Sequence, residues 1–115
     1  PDGRIVLLKD VGPDGFTFFT NYESAKAREL AANPRATLVF FWAALERQVR
    51  VSGTVTRVEA AASDAYFLSR PRESQIGAWA SPQSQVIPSR AALETRMADA
   101  TARFEAEPMT RPPHW

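Results

Sequence analysis

The sequence predicts a mainly β domain with peripheral helices, a small antiparallel barrel or strongly curved sheet, and three observations point there. Four segments rich in β-branched and aromatic residues fall before Ala60, joined by short turns and one helix. Helix-forming composition then dominates from Ala60 onward. There is neither a βαβ alternation nor a G-x-G-x-x-G string, which disfavours a doubly wound dinucleotide-binding fold. At 115 residues the chain fits a single domain, residues 1–115, with one core.

The elements follow in order. Arg4 to Lys9 (RIVLLK) is a short apolar run bounded by charges, and Gly15 to Asn21 (GFTFFTN) alternates aromatic and polar residues. With Gly12, Pro13, Asp14 and Gly15 between them, the two runs read as a β-hairpin. Glu23 to Asn33 is rich in Ala, Lys, Arg, Glu and Leu and reads as a helix. Thr20 to Glu23 has the form of a capping box at its start, and Asn33-Pro34 forms its end. Ala36 to Trp42 (ATLVFFW) is apolar throughout, as expected of a strand buried on both faces. Glu46 to Val58 alternates, with Val49, Val51, Gly53 and Val55 on one face and Gln48, Arg50, Ser52 and Thr54 on the other. Ala60 to Ser69 is helical until Pro71, a short helix covers Glu73 to Trp79, and Ser89 caps a longer helix reaching Glu105. The tail, Pro108 to Trp115, is proline-rich and irregular.

Composition excludes several chemistries. Fourteen basic residues against 13 acidic ones supply no positive field of the kind that steers proteins onto nucleic acid, so no nucleic-acid partner is expected. The absence of cysteine rules out disulfides, thiolate metal sites and a cysteine nucleophile, and the lone His114 builds no zinc cluster. No Ser-His-Asp grouping, paired catalytic carboxylates or P-loop stands out, so no catalytic side chain and no metal are assigned. No apolar run approaches the roughly 20 residues needed to span a bilayer, and no signal-peptide layout opens the chain. A soluble protein in the cytoplasm, without membrane partners, is the expectation. The first residue is Pro1 and the last is Trp115, which reads as a piece of something longer, truncated at both ends.

The densest polar cluster is Tyr66, Arg70, Arg72, Ser74 and Gln75, in YFLSRPRESQIGAW. Tyr66 and Arg70 are four apart and share a helix face, and Ser74 falls at the start of the next helix, where free N–H groups and the helix dipole favour an anion. A phenol, a guanidinium, a hydroxyl and a helix start suit a monophosphate. Spacing alone leaves open a plainer arrangement, with both arginines solvated and Tyr66 in the core with its hydroxyl at the surface. Arg4, Lys9, Thr20, Lys26 and Gln48 read, on spacing, as ordinary solvated or surface positions, Gln83-Ser84 as a turn, and Trp42 and Trp79 as core residues. An enzyme with few acid–base residues can still work if a cofactor supplies the reactivity, as a flavin does.

The strings RIVLLK, F-x-F-x-TNYES-x-K, NP-x-A-x-LVFFW, LERQVRV-x-G-x-V, YF-x-SRPR-x-SQIGAW-x-S-x-QS and the terminal RPPHW resemble, in register from Arg4 to Trp115, the pyridoxine/pyridoxamine 5'-phosphate oxidase family. The resemblance implies an FMN-binding split β-barrel that forms a homodimer with FMN at the subunit interface. It implies FMN contacts at Arg4, Ile5, Val6, Leu7, Leu8, Lys9, Phe19, Thr20, Lys26, Gln48, Gln83 and Ser84, with Arg4 and Lys26 on the FMN phosphate and Gln48 on the flavin ring. It places Lys9, Tyr66, Arg70 and Ser74 on the substrate, chiefly around its phosphate. The implied reaction belongs to vitamin B6 metabolism: oxidation of pyridoxamine or pyridoxine 5'-phosphate to pyridoxal 5'-phosphate, hydride passing to the flavin and oxygen re-oxidising it.

Two departures stand out. Where the family pattern reads S-R-K, this chain has Ser24-Ala25-Lys26, so one phosphate-gripping arginine is missing, a loss on the order of 1.5–3 kcal/mol of FMN binding if nothing replaces it. The family also continues beyond P-P-x-W into strands carrying a tryptophan and an R-L-H...R segment. Two other functions compete: a related split-barrel flavoprotein with another substrate, such as a phenazine-type oxidase, and a non-catalytic module that binds FMN or pyridoxal phosphate.

Overall fold

Local sequence sets most element boundaries in the computed structural model, which describes residues 2–115. Gly12-Pro13-Asp14-Gly15 turns a short hairpin between β1 (Asp10–Gly12) and β2 (Gly15–Thr17), with Gly15 at φ 132, a backbone state that side-chain-bearing residues resist. Helix α1 (Ala25–Ala32) begins at Ser24, whose hydroxyl accepts from Ala27 N, and ends at Asn33 before Pro34. Strands β3 (Arg35–Trp42) and β4 (Arg47–Thr54) pair antiparallel from Arg35–Thr54 to Trp42–Arg47, with Thr37 and Ser52 bonded across the pair at 2.8 Å. Helices α2 (Ala60–Ser69), α3 (Arg72–Ala80) and α4 (Arg90–Ala106) follow, α4 capped by Ser89, whose hydroxyl accepts from Ala92 N at 3.1 Å.

The core lies among these last three helices and the tail. Phe67, Ile76, Ala80, Phe104 and Trp115 are buried there, and Phe67 is wholly enclosed. Polar clips hold the helices together. The Gln75 amide donates to the carbonyls of Phe67 (3.1 Å) and Leu68 (3.0 Å), capping the end of α2, and Arg72 donates to Phe104 O at 2.5 Å, joining α3 to α4. The sheets sit outside this core, joined to each other by the Phe16 and Phe40 rings at 5.9 Å.

Several expectations are corrected. More of the described chain is helical than extended, and its strands form two separate two-stranded sheets, where a mainly β barrel or strongly curved sheet is expected from the sequence. Arg4 to Lys9 is not a strand: within it only Lys9 N finds a backbone partner, Thr17 O at 2.9 Å, and Ile5 and Leu7 stand in solvent. An apolar run becomes a strand only when a neighbour takes up its backbone groups. Strand β3 is not buried on both faces, since Val39 and Phe41 are largely exposed. Thr20 to Glu23 is not the cap of α1; Ser24 takes that position because Asn21 bends the preceding loop, its side chain accepting from Glu23 N at 2.7 Å. The radius of gyration, 16.3 Å, exceeds the ~13 Å of a compact domain of this size, in keeping with sheets that project from the helical core.

Glu46 is no strand residue but closes the 3-10 turn Ala43–Leu45 in the left-handed region, φ 49. Glu46→Val should lower stability by roughly 1–2 kcal/mol, because a β-branched residue resists that conformation, whereas Glu46→Asn should not. Urea unfolding of the two variants in the full-length protein tests this.

Candidate functional site

Two clusters of polar groups form on the surface between the hairpin and the helices. The first is built by the TNYES loop. Asn21 is buried and turns the chain, Ser24 caps α1, and Lys26, in the first turn of α1, reaches back to donate to Thr20 Oγ1 at 2.5 Å and Ser24 Oγ at 3.4 Å. Burial, and then the nearby positive charge of Arg4, hold the Lys26 ammonium below its ordinary pKa. Arg4 itself pairs with Asp2. Two cations and two hydroxyls thus converge from separate segments, and none of the groups bonded to the Lys26 ammonium is anionic. Such a set suits a phosphate group, which would relieve the mutual repulsion and accept from every donor. Arg4, Ile5, Val6, Leu8 and Lys26 line one cavity of about 1320 Å³ that also takes in Glu29 and the β3–β4 sheet.

The second cluster is aromatic with cations above it. The Phe19 and Tyr66 rings stack at 4.1 Å, and Trp115 lies parallel to both, at 5.7 and 5.8 Å. Lys9 Nζ stands 5.5 Å from the Tyr66 ring, and the Arg70 guanidinium 4.8 Å from Trp115 and 5.9 Å from Phe67. Arg70 Nη1 is buried and has no hydrogen-bond partner. A buried guanidinium N–H left unpaired is costly, and an anion placed there would satisfy it. Phe19, Thr20 and Trp115 also line a second cavity, of about 870 Å³, below the hairpin.

The structure therefore gathers Arg4, Thr20 and Lys26 in one place and Lys9, Phe19, Tyr66 and Arg70 in another. Arg70 is not on the helix with Tyr66 but just past it, at the extended C-cap of α2, and its side chain folds back over Trp115. Ser74 is half-buried in the first turn of α3; its N–H already bonds Pro71 O at 2.9 Å, so it offers its hydroxyl and not a free amide. Arg72 and Gln75 serve the helix packing and not the cluster. Leu7 points to solvent. Gln48, opposite Phe41 on β4, and Gln83 and Ser84, in an exposed turn with Ser84 at φ 57, join neither cluster. Trp115 went unassigned in the sequence because a proline-rich tail carries no periodic signal.

A family model described as pyridoxamine 5'-phosphate oxidase matches residues 1–104. The chain belongs to the pyridoxamine 5'-phosphate oxidase family. It is 56% identical over 115 residues to the pyridoxine/pyridoxamine 5'-phosphate oxidase of Synechocystis sp., 59% to that of Paraburkholderia phytofirmans and 60% to that of Ralstonia pickettii. Each alignment takes in 100% of this chain but 54% of the relative, so the chain spans about half the length of the curated proteins it matches. Among solved structures it is similar to PhzG from Burkholderia lata 383 in complex with tetrahydrophenazine-1-carboxylic acid. The TM-score is 0.87 at 26% identity, over 96% of this chain and 54% of that one. The fold is thus that of a family whose members extend well beyond these residues.

Lys26 gives the first cluster a pH signature. Because its folded pKa is depressed below 10.5, the unfolded chain binds more protons between the two values, so stability should rise with pH across that window and be lost as pH falls through the folded pKa. Lys26→Met should abolish the rise, and inorganic phosphate should flatten it in the wild type by restoring the charged form. Melting temperatures from neutral to alkaline pH, with and without phosphate, provide the check.

Proposed function

We propose that this chain is the part of an FMN-dependent oxidase that holds the FMN phosphate and the substrate phosphate. The whole protein then oxidises pyridoxamine or pyridoxine 5'-phosphate to pyridoxal 5'-phosphate, with oxygen as the final acceptor, as a cytoplasmic homodimer. The observation that carries this reading is the unpaired, buried Nη1 of Arg70 beside the Tyr66–Trp115 stack, a donor positioned for an anionic ligand. Family membership and the curated relatives named pyridoxine/pyridoxamine 5'-phosphate oxidase support it.

On this reading Arg4, Lys26 and the Thr20 hydroxyl hold the FMN phosphate, and Phe19, next to Thr20, forms a wall shared with the substrate site. FMN, when bound, supplies the two-electron acceptor chemistry that no side chain here offers. Lys9, Arg70, the Tyr66 hydroxyl and Ser74 fix the substrate by its phosphate, and the aromatic stack keeps water from one side of it. Binding energy far from the reacting carbon thus serves to orient that carbon. Ile5 to Leu8, Gln48, Gln83 and Ser84 reach the cofactor only once the remaining chain and a second subunit assemble the split barrel. The exposed Val39, Phe41 and Trp42 of β3 offer an apolar surface for that assembly.

A second reading is a split-barrel flavoprotein acting on a carboxylate such as the PhzG ligand, since an arginine also pairs with carboxylates. Aldehyde formation from pyridoxamine 5'-phosphate by the full-length protein with added FMN separates the two. Turnover that Arg70→Lys cuts by about tenfold or more in kcat/KM supports the phosphate reading, and no turnover at all would sink it. The Ala25 departure is tested separately: Ala25→Arg, at the first residue of α1 beside Lys26, should tighten FMN binding by about tenfold or more, read by quenching of flavin fluorescence.

A further inference from the structure

Residues 108–115 have no regular structure, yet they are fastened along their length and end in the second cluster. The Trp79 indole donates to Thr110 O at 2.8 Å. Arg111 Nε donates to Asp64 Oδ1 at 2.6 Å, across 47 residues of sequence. Pro112 is fully buried, a ring nitrogen of His114 lies 3.0 Å from Ala78 O, and Tyr22 N donates to His114 O at 2.5 Å. These anchors tie the segment to α2, to α3 and to the TNYES loop at once. What they deliver is Trp115, 8% exposed, with its edge on Phe67 at 5.2 Å, its face parallel to Tyr66, and Arg70 above it.

We propose that this segment is a positioning strap: by seating Trp115 under Arg70 it orients and desolvates the guanidinium, and so sets the affinity of the site for the substrate's phosphate. The inference rests on the reading of Tyr66 and Arg70 as the phosphate site and adds residues that neither sequence spacing nor the family resemblance assigned. An arginine side chain free in solution samples many rotamers, and fixing one has an entropic cost that the ligand would otherwise meet. The indole face attracts the guanidinium and holds it before any ligand arrives. The same ring excludes water from one side, and in that less polar setting a hydrogen bond from Nη1 to a phosphate oxygen is stronger. In the Asp64–Arg111 pair the Asp64 side chain is 54% exposed and the Arg111 side chain 16% exposed. The carboxylate side is screened by solvent, and an asparagine there still offers an oxygen to Arg111 Nε, so loss of the Asp64 charge costs little overall stability. The pair's effect is geometric, because Asp64 sits on α2 two residues before Tyr66 and ties the strap to the helix that carries that ring.

The test uses the full-length protein with FMN bound, pyridoxal 5'-phosphate as the probe and pyridoxal as its phosphate-free control. Trp115→Ala should weaken binding of pyridoxal 5'-phosphate by roughly tenfold and of pyridoxal far less, and raise KM more than it lowers kcat, while Trp115→Phe keeps most of the affinity. Asp64→Asn should shift affinity in the same direction by about threefold with melting temperature and FMN affinity unchanged, which keeps the test open if Trp115→Ala does not fold. Combined with Arg70→Lys, the loss from Trp115→Ala should shrink, because the indole acts through the guanidinium. Equal losses for both probes, additivity with Arg70→Lys, or unchanged affinity in Asp64→Asn would overturn the strap. If Arg70→Lys itself leaves the preference for the phosphorylated probe intact, the phosphate-site reading fails and the strap with it. A normal Arg70→Lys effect beside silent strap variants removes the strap alone.

Discussion

Trp115 against Phe67 is the contact on which the rest of this structure depends. Phe67 is wholly withdrawn from solvent, and Trp115 makes a T-shaped contact with it at 5.2 Å within the helical core. The Tyr66 and Phe19 rings lie parallel to the same indole, at 5.8 and 5.7 Å. One residue therefore belongs to the hydrophobic core and to the aromatic–cation cluster together, and an aromatic ring is suited to that because it buries a large area with few rotatable bonds. Through it, three segments far apart in sequence, the hairpin, α2 and the tail, are held in register.

The two clusters use one physical device in different settings. In each, a cation is withdrawn from water and left short of a negative partner: Lys26 beside Arg4 in the first, Arg70 Nη1 in the second. Such groups are destabilising for the protein alone, and the Gln75 and Arg72 clips that satisfy the ends of α2 and α4 offset part of that strain by fixing the helices independently of the site. The division of labour explains why SRPR-x-SQ is so dense in polar residues. Arg70 folds over Trp115, while Arg72 and Gln75, two and five positions after Arg70, turn toward carbonyls of the core.

Sequence reasoning was strongest where a boundary depends on local chemistry. Ser89 as a cap, Pro71 as a break and the alternation of Val49 and Val51 need only neighbours within a few residues, and each stands in the structure. It failed where the outcome depends on a distant partner. Arg4 to Lys9 and Ala36 to Trp42 carry strand composition, but whether the first pairs, and whether the second is covered, is decided by chain elsewhere. The site divides the same way. Lys26 with Thr20 and Ser24 is a local loop, yet spacing read Thr20 and Lys26 as ordinary surface positions and only the family resemblance marked them; Trp115 comes to Tyr66 from 49 residues further along the chain, which no spacing rule anticipates.

The exposed surface follows from the same division. Val39, Phe41, Trp42, Ile5 and Leu7 lie outside the core formed by α2, α3, α4 and the tail, so apolar residues that composition assigns to an interior stand in solvent. A monomeric domain rarely keeps so much apolar surface open, and the relatives this chain matches are nearly twice as long. Helices close their own hydrogen bonds and can finish a core within one stretch of sequence, whereas a sheet edge needs another strand to finish it. Tyr66, Arg70 and Trp115 sit on or beside the helical part, so their geometry does not depend on either sheet. Gln48, on an open two-stranded sheet, is the opposite case: its place relative to either cluster depends on how that sheet is extended.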